Sequence, residues 1–356
     1  MTRGMKILHD TAAAGGHPAD PKSPLFSVEG LSVEFGPRRA PVRVLDDVSF
    51  AVGHNETVGL VGESGSGKTM SCMAALGLVE AQGGRRTSGT VRLGDTELSA
   101  LSDRQMRQIL GNRVGMIFQQ PTRSLDPAFT VGDHIVETLR RHRRVDRRTA
   151  RRRAVELLDR VRIANAERRL DDYPHQFSGG MCQRVMIAVA LACDPELLIA
   201  DEPTTALDVT VQARILALLR EIREDTGISV VLVSHDLGVI AEVCDRVVVM
   251  YAGQVVERAT VEDLFRWPLH PYTAGLMASI PHIGHVRIRR SRRLEAIPGR
   301  VPEPGAMPPD CRFHDRCPHY TADTCDAPPV LEPVAGGREV RCHRAGTLSL
   351  EGVRTR

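Results

Sequence analysis

The chain has 356 residues, of which 42% are hydrophobic and 26% charged, with a formal net charge of +3. That mix can bury a core and excludes a disordered, collagen-like or coiled-coil protein. No apolar run reaches the ~18 residues of a spanning helix, and 4% aromatic content is too low for a base-stacking platform on single-stranded nucleic acid.

Residues 1–24 are rich in Gly, Ala, Pro and Asp and read as a disordered tail. They hold no apolar stretch long enough for a signal peptide, so a reducing, cytosolic setting is expected. Leu31–Phe35 and Val44–Val52 alternate like half-buried strands joined by a Gly36–Pro41 turn. Short apolar runs then recur at Val58–Val61, Val114–Phe118, Leu197–Ala200, Ser229–Val233 and Val247–Tyr251. Runs of that length suit a parallel sheet covered on both faces. Val211, Ile215, Leu218 and Ile222 share one helical face between Asp208, a good N-cap, and Gly227, a good stop. The pattern is β-α-β, hence an α/β fold. A mostly helical insertion occupies about residues 120–178. Nine arginines crowd positions 140–153 there, read first as a solvated helix face and second as a contact for anionic lipid. Beyond about Arg258, prolines such as Pro298, Pro302, Pro304, Pro308 and Pro309 punctuate a loop-rich region with room for only a small core.

Gly62-Glu63-Ser64-Gly65-Ser66-Gly67-Lys68-Thr69 fits G-x-x-x-x-G-K-[ST], after an apolar strand and before a plausible helix, Met70–Leu78. Its backbone N–H groups would cradle phosphate, with the helix N-terminus adding its positive end. Lys68 would reach the β/γ-phosphates and the Thr69 hydroxyl would ligate Mg²⁺. Lys68 stands out because only two other lysines, Lys6 and Lys22, occur beside 44 arginines. The strand Leu197–Ala200 ends in Asp201 and Glu202. Asp201 would hold Mg²⁺ and Glu202 would polarise the attacking water.

Three more segments complete a series: Gln119 after Val114–Phe118, Phe177-Ser178-Gly179-Gly180-Met181-Cys182-Gln183, and Ser234-His235-Asp236. Over roughly residues 25–260 this five-part order resembles the ATP-binding cassette (ABC) ATPases. The resemblance implies a P-loop cassette: a mixed sheet core with an antiparallel β edge and a helical subdomain. Ser178, Gly179, Gly180 and Gln183 would belong to the signature that covers the ATP of a second cassette. Gln119 would sense Mg²⁺ and face the membrane subunits, and His235 would contact the γ-phosphate. Ala206-Leu207-Asp208 would cross the cassette–cassette interface. Phe35 would stack on adenine or else be a core residue. Gln120 and Cys182 depart from the residues many relatives carry there, without removing a chemical group the site needs.

The segments Gly62–Lys68, Ile117–Pro127 and His270-Pro271-Tyr272-Thr273-Ala274-Gly275-Leu276 are similar to the peptide/nickel importer subfamily. The implied function is the ATP-hydrolysing subunit of a bacterial dipeptide or oligopeptide importer, with nickel or another small solute as alternative cargo. The implied partners are two permease subunits, a second and related cassette, and indirectly an extracytoplasmic binding protein. The implied place is the cytoplasmic face of the membrane. A soluble ABC ATPase of DNA repair or translation is disfavoured by the lack of a coiled coil or basic–aromatic surface.

Residues 261–356 would form the subfamily's C-terminal region. Cys311, Cys317, Cys325 and Cys342 give C-x5-C-x7-C-x16-C, and four thiolates suit zinc or an iron–sulfur cluster. The resemblance favours [4Fe-4S] over zinc, with free thiols as the remaining reading and His314, His319 and His343 as substitute ligands. Cys72, Cys193 and Cys244 read as small buried residues.

Overall fold

A computed structural model describes residues 23–120, 124–205, 207–279 and 297–352. The expected tail lies outside them except for its last two residues. The strands, in chain order, are β1 (Phe26–Phe35), β2 (Val42–Val52), β3 (Thr57–Val61), β4 (Arg85–Leu93), β5 (Thr96–Glu97), β6 (Val114–Ile117), β7 (Leu197–Asp201), β8 (Ser229–Ser234), β9 (Arg246–Tyr251), β10 (Gln254–Thr260), β11 (Glu332–Val334) and β12 (Arg338–Val340).

They form two sheets. The larger runs β11-β12-β10-β9-β3-β8-β7-β6, and β9-β3-β8-β7-β6 within it is parallel. All five of its parallel strands are the short apolar runs read from the sequence. Strands β3, β7 and β8 are buried along their whole length, which is why nothing polar interrupts them. The smaller sheet, β2-β1-β4-β5, is antiparallel. Phe35 pairs with Val42 across the expected Gly36–Pro41 turn.

Helices follow their sequence signals. In Val209–Thr226 the Asp208 side chain accepts from Val211 N, and Gly227 closes the end at φ 69°. Ile215, Leu218 and Ile222 are buried and Val211 is half-buried. The insertion is helical at Val131–Arg143, Arg147–Arg160 and Ala166–Arg169. Ala150, Ala154, Leu157 and Leu158 face its core, while exposed Arg151 pairs with Asp171 and half-buried Arg153 with Asp194. The first reading of the arginine run, a solvated face, is what the structure displays.

The C-terminal region does not stand apart from the cassette. Strand β12 pairs antiparallel with β10 through Glu257 and Arg258. Glu257, fully buried, accepts from the backbone N–H groups of Leu269 and His270 and from Arg338. Phe313 packs edge-on against Tyr251 and Tyr272. The region therefore shares the cassette's sheet and core. Arginines and aromatic rings hold it in place.

Gly89 lies beside the bulge in β1, with φ 100°. A Cβ there would sit 2.6 Å from Leu31 Cα and 2.8 Å from Glu29 O. Gly89→Ala should lower stability by about 1–3 kcal/mol through backbone clash, read as a reduced urea midpoint with unchanged slope.

Candidate active site

Strands β3, β7 and β8 are adjacent and in register, with Val61 opposite Ser234 and Asp201 opposite Val233. Their C-terminal ends therefore deliver the glycine-rich loop, the paired carboxylates and His235 to one sheet edge. The loop bends where only glycine fits. A Cβ on Gly62 would lie 2.2 Å from Met250 O, and Gly67, the N-cap of helix Lys68–Ala75, has φ 101°.

Lys68 is 5% exposed, and its ammonium donates to Gly62 O at 2.7 Å and Glu63 O at 3.0 Å. Burial lowers its pKa, opposed by Glu202, Asp201 and Glu63. Ser64 and Gly65, at the loop tip, are exposed, so the phosphate-facing side is open.

Thr69 Oγ1 donates to Asp201 Oδ1 at 2.8 Å. Asp201 is 2% exposed, and burial raises its pKa against the pull of Thr69 and Lys68. Hydroxyl and carboxylate meet where a small cation would sit. Among the described residues no group of three or more His, Cys, Asp or Glu side chains is arranged to hold a metal ion. Mg²⁺ at phosphate sites asks less: one or two protein oxygens plus the substrate's own. Thr69 and Asp201 fit that demand.

Glu202 is the hub. Its backbone takes φ 46°, a left-handed value that costs a non-glycine residue energy, while its N–H still bonds Val233 O. From there its carboxylate accepts from Gln119 Nε2 at 2.8 Å and Thr205 Oγ1 at 2.8 Å, with His235 Nδ1 at 3.4 Å. Burial raises the carboxyl pKa, but Thr205 and His235 outweigh it and the net shift is downward, toward the ionised form. Thr205 was not legible as a partner; only its place three residues beyond Glu202 hinted at it. Gln119 and His235 are exposed to solvent.

The other expected residues lie elsewhere. Ser178 caps helix Gly179–Ala190, accepting from Met181 N, and both Ser178 and Gly179 are exposed. Gln183 is not on that surface: it is 1% exposed, and its amide nitrogen has no partner. One helical turn beyond Gly179, its side chain has rotated into the core. Asp208 is exposed and serves as a helix cap, and Ala206 is outside the described residues. Phe35 is half-buried with its ring against Gly84, where a Cβ would lie 2.7 Å from Phe35 Cζ.

Comparison with known proteins now decides the family. The ABC transporter family matches residues 45–205, and the oligopeptide/dipeptide transporter C-terminal region matches residues 256–325. The oligopeptide transport ATP-binding protein AppD of Bacillus subtilis is 48% identical over 321 residues, covering 90% of this chain and 96% of its own. The chain belongs to the ABC transporter ATPases. The dipeptide transport ATP-binding protein DppD of Escherichia coli is 45% identical over 90% of this chain and 96% of its own. Among solved structures, the ABC cassette MJ0796, dimeric in a post-hydrolysis state with ADP and Pi, superposes with a TM-score of 0.59 at 28% identity. It covers 66% of this chain and 98% of its own. No helix among the described residues is long and apolar enough to cross a membrane.

The four C-terminal cysteines of this ABC ATPase do come together, around one small cavity of about 20 Å³ that His314, His319 and His343 also border. They do not converge as a ligand set, so the expected cluster or zinc geometry is not what the structure displays. Burial first, then the neighbouring thiols, pushes Cys311 up to about 11. Cys72 and Cys193 are buried as expected; Cys244 is half-buried.

The conspicuous His270 of the His270–Leu276 segment has a structural task. Its Nδ1 accepts from Tyr272 N at 3.0 Å and caps helix Pro271–Ala278. Burial lowers its pKa from 6.5 to about 3. The unfolded chain then binds the extra proton first, so this residue's stabilisation is complete above pH 6.5 and is lost as pH falls toward 3. His270→Asn keeps a capping acceptor without the titration. Its urea-derived stability should depend on pH less steeply than the wild type across that window, by up to about 1.4 kcal/mol per pH unit.

Proposed function

We propose that this chain binds and hydrolyses ATP to drive uptake of dipeptides or oligopeptides through membrane permease subunits. The observation that carries it is the convergence of Gln119, Thr205 and His235 on Glu202, next to the Thr69–Asp201 pair. Peptide cargo is supported by the names of AppD and DppD and by the matched C-terminal region.

In this reading the triphosphate lies along the Gly62–Thr69 amides. Phosphate oxygens replace the carbonyls of Gly62 and Glu63 as acceptors for Lys68. Thr69 and Asp201, with Gln119, would hold Mg²⁺, which would supply charge neutralisation at the phosphates. Glu202 takes a proton from the water that attacks the γ-phosphorus. Gln119 and His235 orient the Glu202 carboxylate, and His235, largely exposed, reaches toward the γ-phosphate. Phe35, half-buried against Gly84, would offer its ring to the adenine.

The exposed helix start at Ser178–Gly179 presents the positive end of the helix dipole. It would cap the γ-phosphate of a second cassette, and that cassette would return the same contact, with Asp208 at the crossing. The dimeric state of MJ0796 supports such pairing. Exposed Phe118, next to Gln119 in the chain, and exposed Phe129 and Tyr173 would offer the permease apolar footing. In this reading the chain sits peripherally on the membrane's cytoplasmic face.

Glu202→Gln should keep ATP binding while turnover falls at least about 100-fold, the size of a lost general base. Lys68→Ala should weaken binding itself. Calorimetry with Mg-ATP and a phosphate-release assay separate the two, and near-normal turnover in Glu202→Gln would remove the assignment.

A structural [4Fe-4S] cluster at the cysteine cavity, with zinc as second choice, would require the four thiols to turn toward one point, since they do not converge as they stand. A cation there would reverse the electrostatics that now raise the thiol pKa values. Anaerobic purification should yield brown protein with bound iron. Colourless, metal-free protein whose Cys311→Ser variant melts at the same temperature would exclude both metals.

A further inference from the structure

Glu63, the second residue of the phosphate loop, is held at each of its polar groups. Its carbonyl accepts from Lys68 Nζ and from Ser66 N. Its N–H donates to Tyr272 Oη at 2.8 Å. Its carboxylate receives both terminal nitrogens of Arg316, at 2.6 and 2.9 Å. Tyr272 and Arg316 lie 209 and 253 residues away in sequence, in the region matched as C-terminal rather than in the cassette match.

Both clamp residues are themselves fixed. Tyr272 is fully buried, with its ring against Tyr251 and Phe313. The Arg316 side chain is 4% exposed. It lies over the rings of Tyr251 and Phe313, and its Nε donates to Pro298 O. It leaves from the short turn His314–Arg316 between Cys311 and Cys317. A buried guanidinium gripping a carboxylate through two parallel bonds has little freedom, unlike a surface ion pair.

The ends of the phosphate loop are set by the sheet and by helix Lys68–Ala75, but its first turn has exposed neighbours on the solvent side, Ser64 and Gly65. Position 63 is where that turn can be steadied. We propose that Arg316, with Tyr272, is a positioning residue for nucleotide binding: it locks Glu63 so that the loop is preorganised for the triphosphate. The C-terminal region thereby sets the cassette's affinity for ATP. The proposal rests on the reading of residues 62–69 as the ATP site.

The two ends of the pair are not equivalent. Removing Glu63 strands a buried charge, whereas removing Arg316 leaves a carboxylate whose side chain is already 31% exposed and can be hydrated. Arg316→Met, which keeps the stem over the rings, is therefore the informative variant.

On the purified full chain, Arg316→Met should raise the Kd for Mg-ATP roughly tenfold, the size of one charge-assisted hydrogen bond. It should raise KM for ATP equally while leaving kcat at saturation within about twofold. Arg316→Lys, with charge but no fork, should fall between Arg316→Met and wild type. If Arg316→Met does not fold, judged by its melt without nucleotide, Tyr272→Phe carries the test, since it removes only the oxygen that receives Glu63 N–H; it too should raise Kd and KM with kcat kept. Wild-type Kd in the folded variant, or a fall in kcat with Kd unchanged, would overturn the proposal. Lys68→Ala measured alongside separates the two levels: if it also binds ATP normally, the ATP-site reading fails, and if it alone loses binding, only the clamp does.

Discussion

Register along the parallel strands is the constraint on which the site depends. Val61, Asp201 and Ser234 end neighbouring strands at one edge because β3, β8 and β7 are hydrogen-bonded without slippage. A shift of one residue in β7 would turn Asp201 to the opposite face of the sheet, away from Thr69. Continuous burial of these strands fixes that register. The chemistry at the edge inherits its precision from packing beneath it.

Within that frame, Glu202 shows local strain put to use. A left-handed backbone at a non-glycine residue is unfavourable, yet the N–H bond to Val233 O holds it. The resulting turn aims the carboxylate across the strand end, where groups from three other segments meet it: Gln119 after β6, Thr205 in the following turn, and His235 after β8. Asp201, one residue earlier, points the other way, to Thr69. Adjacent carboxylates thus occupy different environments, one buried with a raised pKa and one held toward ionisation.

What could be read from residues alone follows from the same physics. Parallel strands were legible because burial on both faces leaves an unbroken apolar run, and helix Val209–Thr226 because Asp208 and Gly227 mark its ends. Strand β4 was not: Arg85–Leu93 is mostly polar and half-exposed, and it becomes a strand through pairing with β1. Of the site, the glycine loop, Asp201, Glu202, Gln119 and His235 were legible by type and order. The interior position of Gln183 was not, since it depends on how helix Gly179–Ala190 is rotated against the core. Tyr272 and Arg316 left no trace in the local sequence around Glu63, because contacts so distant along the chain are created by folding alone. The cysteines were legible as a group, but spacing said nothing of how their thiols are aimed.

Strand β12 has one more consequence. By pairing with β10 it covers what would otherwise be the open margin of the large sheet, and Arg338 neutralises Glu257 behind that margin. A chain ended at Thr260 would present a seven-residue strand with unmatched backbone donors and acceptors and a stranded interior carboxylate. Such margins recruit other chains into shared sheets. The appendage therefore also closes a margin through which copies of the cassette could otherwise pair.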